Sequence, residues 1–211
     1  NKGMAGNVVE NLNALSSDIE VVHWHQSTKI EKTRFVEKKS NQMITRVDDG
    51  EIEKCDTLNF LSPRQKKTID KSDFVIISDY NKGYLDSNII DEISKLAKLT
   101  IMDTKKKLSG SMIMDIDFIK LNETEYQNNK ELVDLYPEKF IITLGSEGCM
   151  YNHVVYPSSN PKETIDVSGA GDTFTASFIL KYHETNDIPT SLKFANDMAS
   201  IVVSKRGVAT P

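Results

Sequence analysis

Apolar residues in the second half of the chain follow two alternating patterns. FVIIS (74–78), LTIMD (99–103), DFIKL (117–121) and KFIITLG (139–145) are short apolar runs, as expected of strands covered on both faces. Between the first two, DSNIIDEISKLAKL (86–99) sets Ile89, Ile90, Ile93, Leu96 and Leu99 at helical spacing, with Asp86 or Ser87 as cap. A second helix is expected over about 123–135. Strands separated by helix-length segments predict an α/β fold, a doubly wound, mostly parallel sheet flanked by helices. GCMYNHVVYP (148–157) predicts an antiparallel excursion at one edge. Two helices close the chain, Ala170 to Tyr182 and Thr190 to Lys205, the last stopped by Gly207.

The first third is half polar. EVVHWH (20–25), KTRFVEKK (32–39) and NQMITRVDD (41–49) read as strands with no long helix between them. Such strands predict a small β lid within about 28–50, covering one end of the main sheet. No repeat or low-complexity linker interrupts the 211 residues, so one domain over 1–211 is expected.

Composition narrows the classes of function. The chain is 38% hydrophobic and 27% charged, ordinary for a soluble domain. A formal charge of −5 and a pI near 5.5 offer no broad basic field to nucleic acid or acidic lipid. No apolar run approaches the ~20 residues of a membrane helix, and the N-terminus lacks the layout of a secretion signal. Cys55 and Cys149 form no metal or disulfide pattern, and the cytoplasm is the expected location.

One stretch departs from these patterns. DVSGAGDTFTASF (166–178) places two acids and two glycines where a helix must begin, and glycine weakens a helix start. Gly169, Ala170 and Gly171 make sense as a phosphate cradle. Unpaired N–H groups project from a helix's first turn, the macrodipole makes that end electropositive, and small side chains admit an anion to the main chain. Asp172 would repel that anion unless it handles a proton, taking one from a hydroxyl as the oxygen attacks phosphorus. The competing reading is two packing glycines and an acid that supports the helix N-terminus.

D-x-x-G-A-G-D followed by a small-residue helix resembles the C-terminal signature of the ribokinase (PfkB) superfamily of carbohydrate kinases, with Asp166, Gly169, Ala170, Gly171 and Asp172 matching. The resemblance implies a ribokinase-like fold, Asp172 as catalytic base and residues 169–171 as anion hole. Three more segments fall in the family's order. KLNETEY (120–126) resembles its N-x-x-E motif, which implies that Asn122 and Glu125 organise Mg²⁺ and phosphate, largely through water. Taken alone, the pair reads as a helix cap with its first-turn acid. TLGSEG (143–148) resembles the nucleotide-site T-L-G-x-x-G through Thr143, Gly145 and Gly148. ANDMASIVVSKRG (195–207) resembles the last helix, which implies Asn196 near the adenine. ATP and Mg²⁺ are the implied cofactors.

GMAGN (3–7) is similar to the family's G-G-x-x-N sugar-binding turn, which implies Gly3 and Asn7 at the acceptor, with Met4 replacing the second glycine. Asn7 reads equally as a helix cap for VVENL. KTRFV (32–36), NQMITRVD (41–48), SDYNKGYL (78–85), MDTKKK (102–107) and SKRGVATP (204–211) look most like the heptose-7-phosphate kinase branch, the kinase half of bacterial ADP-heptose synthases. That branch implies transfer of the γ-phosphoryl group of ATP to a sugar phosphate, D-glycero-D-manno-heptose 7-phosphate at C1, for nucleotide-activated heptose and lipopolysaccharide. A phosphorylated acceptor needs cations, and Arg34, Arg46, Lys82 and Lys105 are candidates. Each also reads as an exposed charge. The family's first strand with its acidic sugar ligand, and a segment between NALSS and EVVHWH, find no counterpart, so an N-terminal part that is shortened or missing is expected. Two alternatives stay open: a ribose, fructose or nucleoside acceptor, and a catalytically idle relative that binds nucleotide or sugar phosphate. A homodimer through the lid strands is implied; no nucleic-acid or membrane partner is expected.

Overall fold

The structure, a computed structural model, describes residues 3–26, 31–37, 43–50, 56–159, 161–162, 164–205 and 207–211. It opens with helix α1 (Gly3–Leu15), whose Met4, Val8 and Leu12 recur at helical spacing and are buried. Strands β1 (Glu31–Val36) and β2 (Met43–Asp49) then form a separate antiparallel pair with Arg34 opposite Arg46. Both fall within the 28–50 span where lid strands are expected. The side chains of Arg34 and Arg46, and all of Cys55, lie outside the described residues. EVVHWH is not a strand; Ile19 and Val21 instead pack against the cluster formed by α1.

Helix α2 (Pro63–Lys71) is absent from the pattern reading because it buries one apolar residue, Ile69, and so has no amphipathic stripe. Its local signal is its start. Ser62 and Gln65 cap each other reciprocally and Pro63 opens the first turn.

The main sheet has six strands in chain order: β3 (Val75–Asp79), β4 (Thr100–Thr104), β5 (Phe118–Asn122), β6 (Phe140–Thr143), β7 (Cys149–Tyr151) and β8 (Val154–Tyr156). The first four are parallel, and β7 and β8 fold back antiparallel, as expected for 148–157. Helices α3 (Ser87–Leu96), α4 (Gly110–Ile113) and α5 (Glu123–Leu135) connect the parallel strands. Alternation along the strands sorts the core into two layers. Ile77, Met102, Ile119, Leu121 and Ile142 join Ile69, Ile90, Ile93 and Val133 of α2, α3 and α5. Ile101, Phe118 and Ile141 face the other way, toward helices α6 (Ala170–Thr185) and α7 (Ile188–Val203).

α6 is the buried helix of the second layer; every residue from Thr173 to Leu180 is buried. Phe174, Phe178 and Tyr182 run along it at four-residue spacing, and Phe118 meets the rings of Phe178 and Tyr182 edge-on, each at 4.9 Å between centroids. α1 packs on α6 through Val8, Leu12, Ala176 and Leu180. The start of α6 is thereby held beside the C-terminal ends of the parallel strands, where open α/β sheets bind ligands. No helix among the described residues is long and apolar enough to cross a membrane.

Candidate active site

Asp172 stands in the first turn of α6 and is half-buried. Burial pushes its pKa up to about 7, and the charge of Asp103 adds to the shift, while the Asn7 hydrogen bond and the charges of Lys120 and Lys105 oppose it. Asn7 Nδ2 donates to Asp172 Oδ2 at 2.7 Å. Asn7 is therefore not a helix cap: it lies inside α1, buried, with its amide nitrogen on the catalytic candidate. Behind it, Asn11 Nδ2 donates to the Asn7 carbonyl at 2.8 Å, and Thr173 Oγ1 donates to Asn11 Oδ1 at 2.8 Å. These residues tie α1 to the first turn of α6, and Asn11 and Thr173 are fully buried. The sequence reading missed Asn11. Its position four residues after Asn7 on one helix face was the available signal.

Gly169 occupies the left-handed region at φ 86°, and a Cβ there would lie 2.9 Å from Asn7 Nδ2. Glycine at 169 thus sets the turn into α6 and lets Asn7 approach. The Ala170 N–H donates to Val167 O at 3.3 Å. The N–H groups of Gly171 and Asp172 have no acceptor among the described residues, as the start of a helix requires. Asp166 accepts from the N–H groups of Ser168 and Gly207, so this member of the motif shapes the loop before the helix.

An open cleft of about 160 Å³ lies over this turn, lined by Met4, Tyr80, Asp103, Lys105, Lys120, Asn122, Glu125, Gly169, Gly171 and Asp172. That volume is below the roughly 300 Å³ at which pockets for whole small molecules begin, so the cleft itself matches a reacting group more than a nucleotide. Asn122 and Glu125 form a reciprocal capping box at the start of α5: Asn122 Oδ1 accepts from Glu125 N, and Glu125 Oε2 accepts from Asn122 N, both at 2.8 Å. The pair caps the helix and also lines the cleft. One Glu125 oxygen remains outside the box. No group of three or more His, Cys, Asp or Glu side chains suited to a metal occurs among the described residues. This donor set fits a cation that keeps most of its water.

Thr143 pairs with Asn122 across β5 and β6, which puts the TLGSEG segment beside the cleft. Gly145 at φ 58° has open space where a Cβ would stand. Gly148 is different: a Cβ would come within 2.3 Å of Tyr156 O, so this glycine is required by the β7–β8 hairpin. Asn196 is buried, and its Nδ2 donates to Tyr156 O at 2.7 Å and approaches Cys149 Sγ at 3.4 Å. It anchors α7 to the hairpin and lies outside the lining of the cleft. Burial pushes the Cys149 thiol up to about 12, against the pull of that contact.

Of the residues expected at the acceptor, Lys105 lines the cleft and its Nζ stands 4.5 Å from the Tyr80 ring centroid. The loop 80–85 is held by Asp79, which pairs with Lys106 and accepts from Asn81 N; Lys106 Nζ also donates to Leu85 O at 2.6 Å. Gly3, at φ 76° at the start of α1, and Lys82 are not among the lining residues, whereas Met4 is. Asp103 and Lys120 were missed by motif reading, because each sits inside an apolar strand run. Lys120 Nζ donates to Asp103 Oδ2 at 3.0 Å, with both residues buried. Desolvation pulls Lys120's pKa down, but Asp103 outweighs it, with Glu125 and Asp172 beyond, and the ammonium is held above the ordinary lysine value.

Residues 5–211 match the family described as pfkB family carbohydrate kinase. Among curated proteins, the chain is 31% identical to the bifunctional protein HldE of Helicobacter pylori strain 26695 and 29% identical to that of strain J99, each over 99% of its length. It spans 56% of those relatives. The strain 26695 alignment runs over 264 positions against 211 residues here, so the relative carries at least fifty positions without a counterpart inside the matched span. Among solved structures, Arabidopsis thaliana ribokinase complexed with ribose and ATP superposes with a TM-score of 0.65 at 18% identity, covering 84% of this chain and 64% of that one. The Burkholderia thailandensis nucleoside kinase in complex with inosine superposes with a TM-score of 0.66 at 15% identity, covering 97% and 81%. Sequence and fold agree, and the chain belongs to the PfkB family of carbohydrate kinases, which transfer phosphoryl groups to alcohols.

Proposed function

We propose that the protein transfers the γ-phosphoryl group of ATP to a hydroxyl of a sugar phosphate, with D-glycero-D-manno-heptose 7-phosphate at C1 as acceptor. The observation that carries the reading is Asp172, a carboxylate near neutral in pKa, beside the free N–H groups of Gly171 and Asp172. A base with that pKa is about half ionised at neutral pH and basic enough to accept a hydroxyl proton. As the acceptor oxygen bonds to phosphorus, Asp172 takes the proton, and the N–H groups meet the charge on the transferred group. Asn7 keeps the carboxylate aimed. Asn122 and Glu125 would hold a hydrated Mg²⁺, which when bound neutralises phosphate charge.

The acceptor class rests on the HldE relatives and on Lys105 in the cleft wall, a cation suited to a second phosphate. Arg34 and Arg46 on the lid extend that proposal. Thr143 and Gly145 beside the cleft are the proposed nucleotide contacts. A homodimer through the lid is part of the same reading: Phe35 and Val47 share a face of the β1–β2 pair, and each is about half exposed.

The test is ADP release with purified protein, ATP and Mg²⁺, over a panel of heptose 7-phosphate, ribose, fructose and inosine. Turnover with the heptose phosphate alone is expected. Turnover confined to ribose, fructose or inosine would replace the acceptor. Thermal stabilisation by ATP with no turnover on any acceptor would leave a nucleotide-binding relative.

A further inference from the structure

Lys120 is the buried cation of this site, and stability does not explain it. A buried ion pair such as Lys120–Asp103 gains little over apolar residues of similar volume, because desolvation offsets attraction. Its neighbours Ile119 and Leu121 show that the strand accepts apolar side chains. Lys120 points instead to the opposite side of β5, toward the start of α6, and a Cβ on Gly171 would stand 2.9 Å from its Nζ. The missing side chain at 171 therefore admits the ammonium against the helix's first turn. A cation at a helix N-terminus is electrostatically unfavourable, since both ends of that contact are positive. Asp103 compensates one charge. Among the described residues it is the sole hydrogen-bond partner of an ammonium with three donors. The ammonium lies against Gly171 in the wall of the same cleft as the N–H groups of Gly171 and Asp172, which have no acceptor among the described residues, an arrangement that calls for an anion.

We infer that Lys120 is a catalytic residue for the proposed phosphoryl transfer: its ammonium hydrogen-bonds the transferred group while Asp172 faces the attacking hydroxyl. The step balances. The acceptor oxygen forms the new O–P bond, and the bond from the γ-phosphorus to the bridging oxygen breaks with its electron pair leaving on ADP. The hydroxyl proton goes to Asp172, and Lys120 keeps its own protons throughout. Asp103 holds the ammonium before substrate binds and shares it when the phosphoryl group arrives. This rests on the kinase reading above.

The test compares the wild type with Lys120→Met by turnover and by calorimetric binding of ADP, with and without aluminium fluoride as a mimic of the transferring phosphoryl group. Loss of one donor to the transition state is expected to lower kcat by ~10²–10³. ADP affinity should stay within about threefold, and the gain in affinity from aluminium fluoride should vanish. Because Lys120→Met strands a buried carboxylate, Asp103→Asn/Lys120→Met is made in parallel, leaving no charge behind. If Lys120 only neutralises Asp103, the double variant recovers both melting temperature and kcat, and the inference falls. If the inference holds, it folds and stays slow. Wild-type turnover with an equally fast Lys120→Met overturns the inference alone. A wild type that neither turns over nor gains ADP affinity from aluminium fluoride overturns the kinase reading and this inference with it.

Discussion

Asp172→Asn separates what the carboxylate contributes to chemistry from what it costs the fold. The native Asp172 has a pKa of about 7 against an ordinary 3.8, mainly through burial. Between those values the folded state holds a proton that the unfolded state has lost, so stability falls as pH rises through that window. Below about pH 4 both states are protonated and the cost disappears. Above about pH 7 it is complete. A shift of roughly three units at about 1.4 kcal/mol each sets an upper limit near 4 kcal/mol. Asparagine has no proton to lose and still offers an oxygen to the Asn7 amide, so the variant should be more stable than the wild type at pH 8. In a chain of this length, 1 kcal/mol moves Tm by about 2–4 °C, so a gain of several degrees is expected at pH 8 and none at pH 4. Calorimetric scans at four pH values would check this. Turnover of the same variant should drop by several orders of magnitude with ATP binding retained. A pH-independent Tm difference would refute the burial argument, and near-normal turnover would remove Asp172 as the base.

Asn7→Leu removes the donor that restrains the Asp172 pKa, so the acid limb of kcat/KM should move to higher pH, as a pH–rate profile would show. Thr173→Val leaves Asn11 Oδ1 short of a donor inside the core; a loss of about 1–3 kcal/mol is expected in urea titration, with lowered kcat and unchanged ATP affinity. Gly171→Ala brings a methyl group within 2.9 Å of Lys120 Nζ and should displace the ammonium, lowering kcat more than stability, which paired kinetics and melting curves would separate. Gly148→Ala sets a side chain at φ 95° against the Tyr156 carbonyl. It should cost about 1–3 kcal/mol or more by denaturation, without moving the acid limb of the pH profile.

The parallel sheet and the start of α6 were legible in the sequence because both are local events. An apolar run such as FIITL needs only its own residues to announce a strand covered on both faces, and GAGD needs only one turn to expose unpaired N–H groups. α2 escaped for the opposite reason, since one buried isoleucine makes no period. EVVHWH looked like a strand, but no strand among the described residues pairs with it, and pairing is not a local property.

Sequence alone determined where a phosphate cradle and a proton acceptor could stand, because a helix terminus carries its own dipole and free amides wherever it folds. Only the tertiary structure decided what surrounds them. Asn7 reaches Asp172 across 165 positions, and Thr175 approaches the Asp103 carboxylate across 72. Lys120 sits in a strand that reads as core until Gly171 opens a space for its ammonium. Pairings of that kind arise from packing distant segments together, and burial and neighbouring charges then move pKa values that an extended chain would leave ordinary.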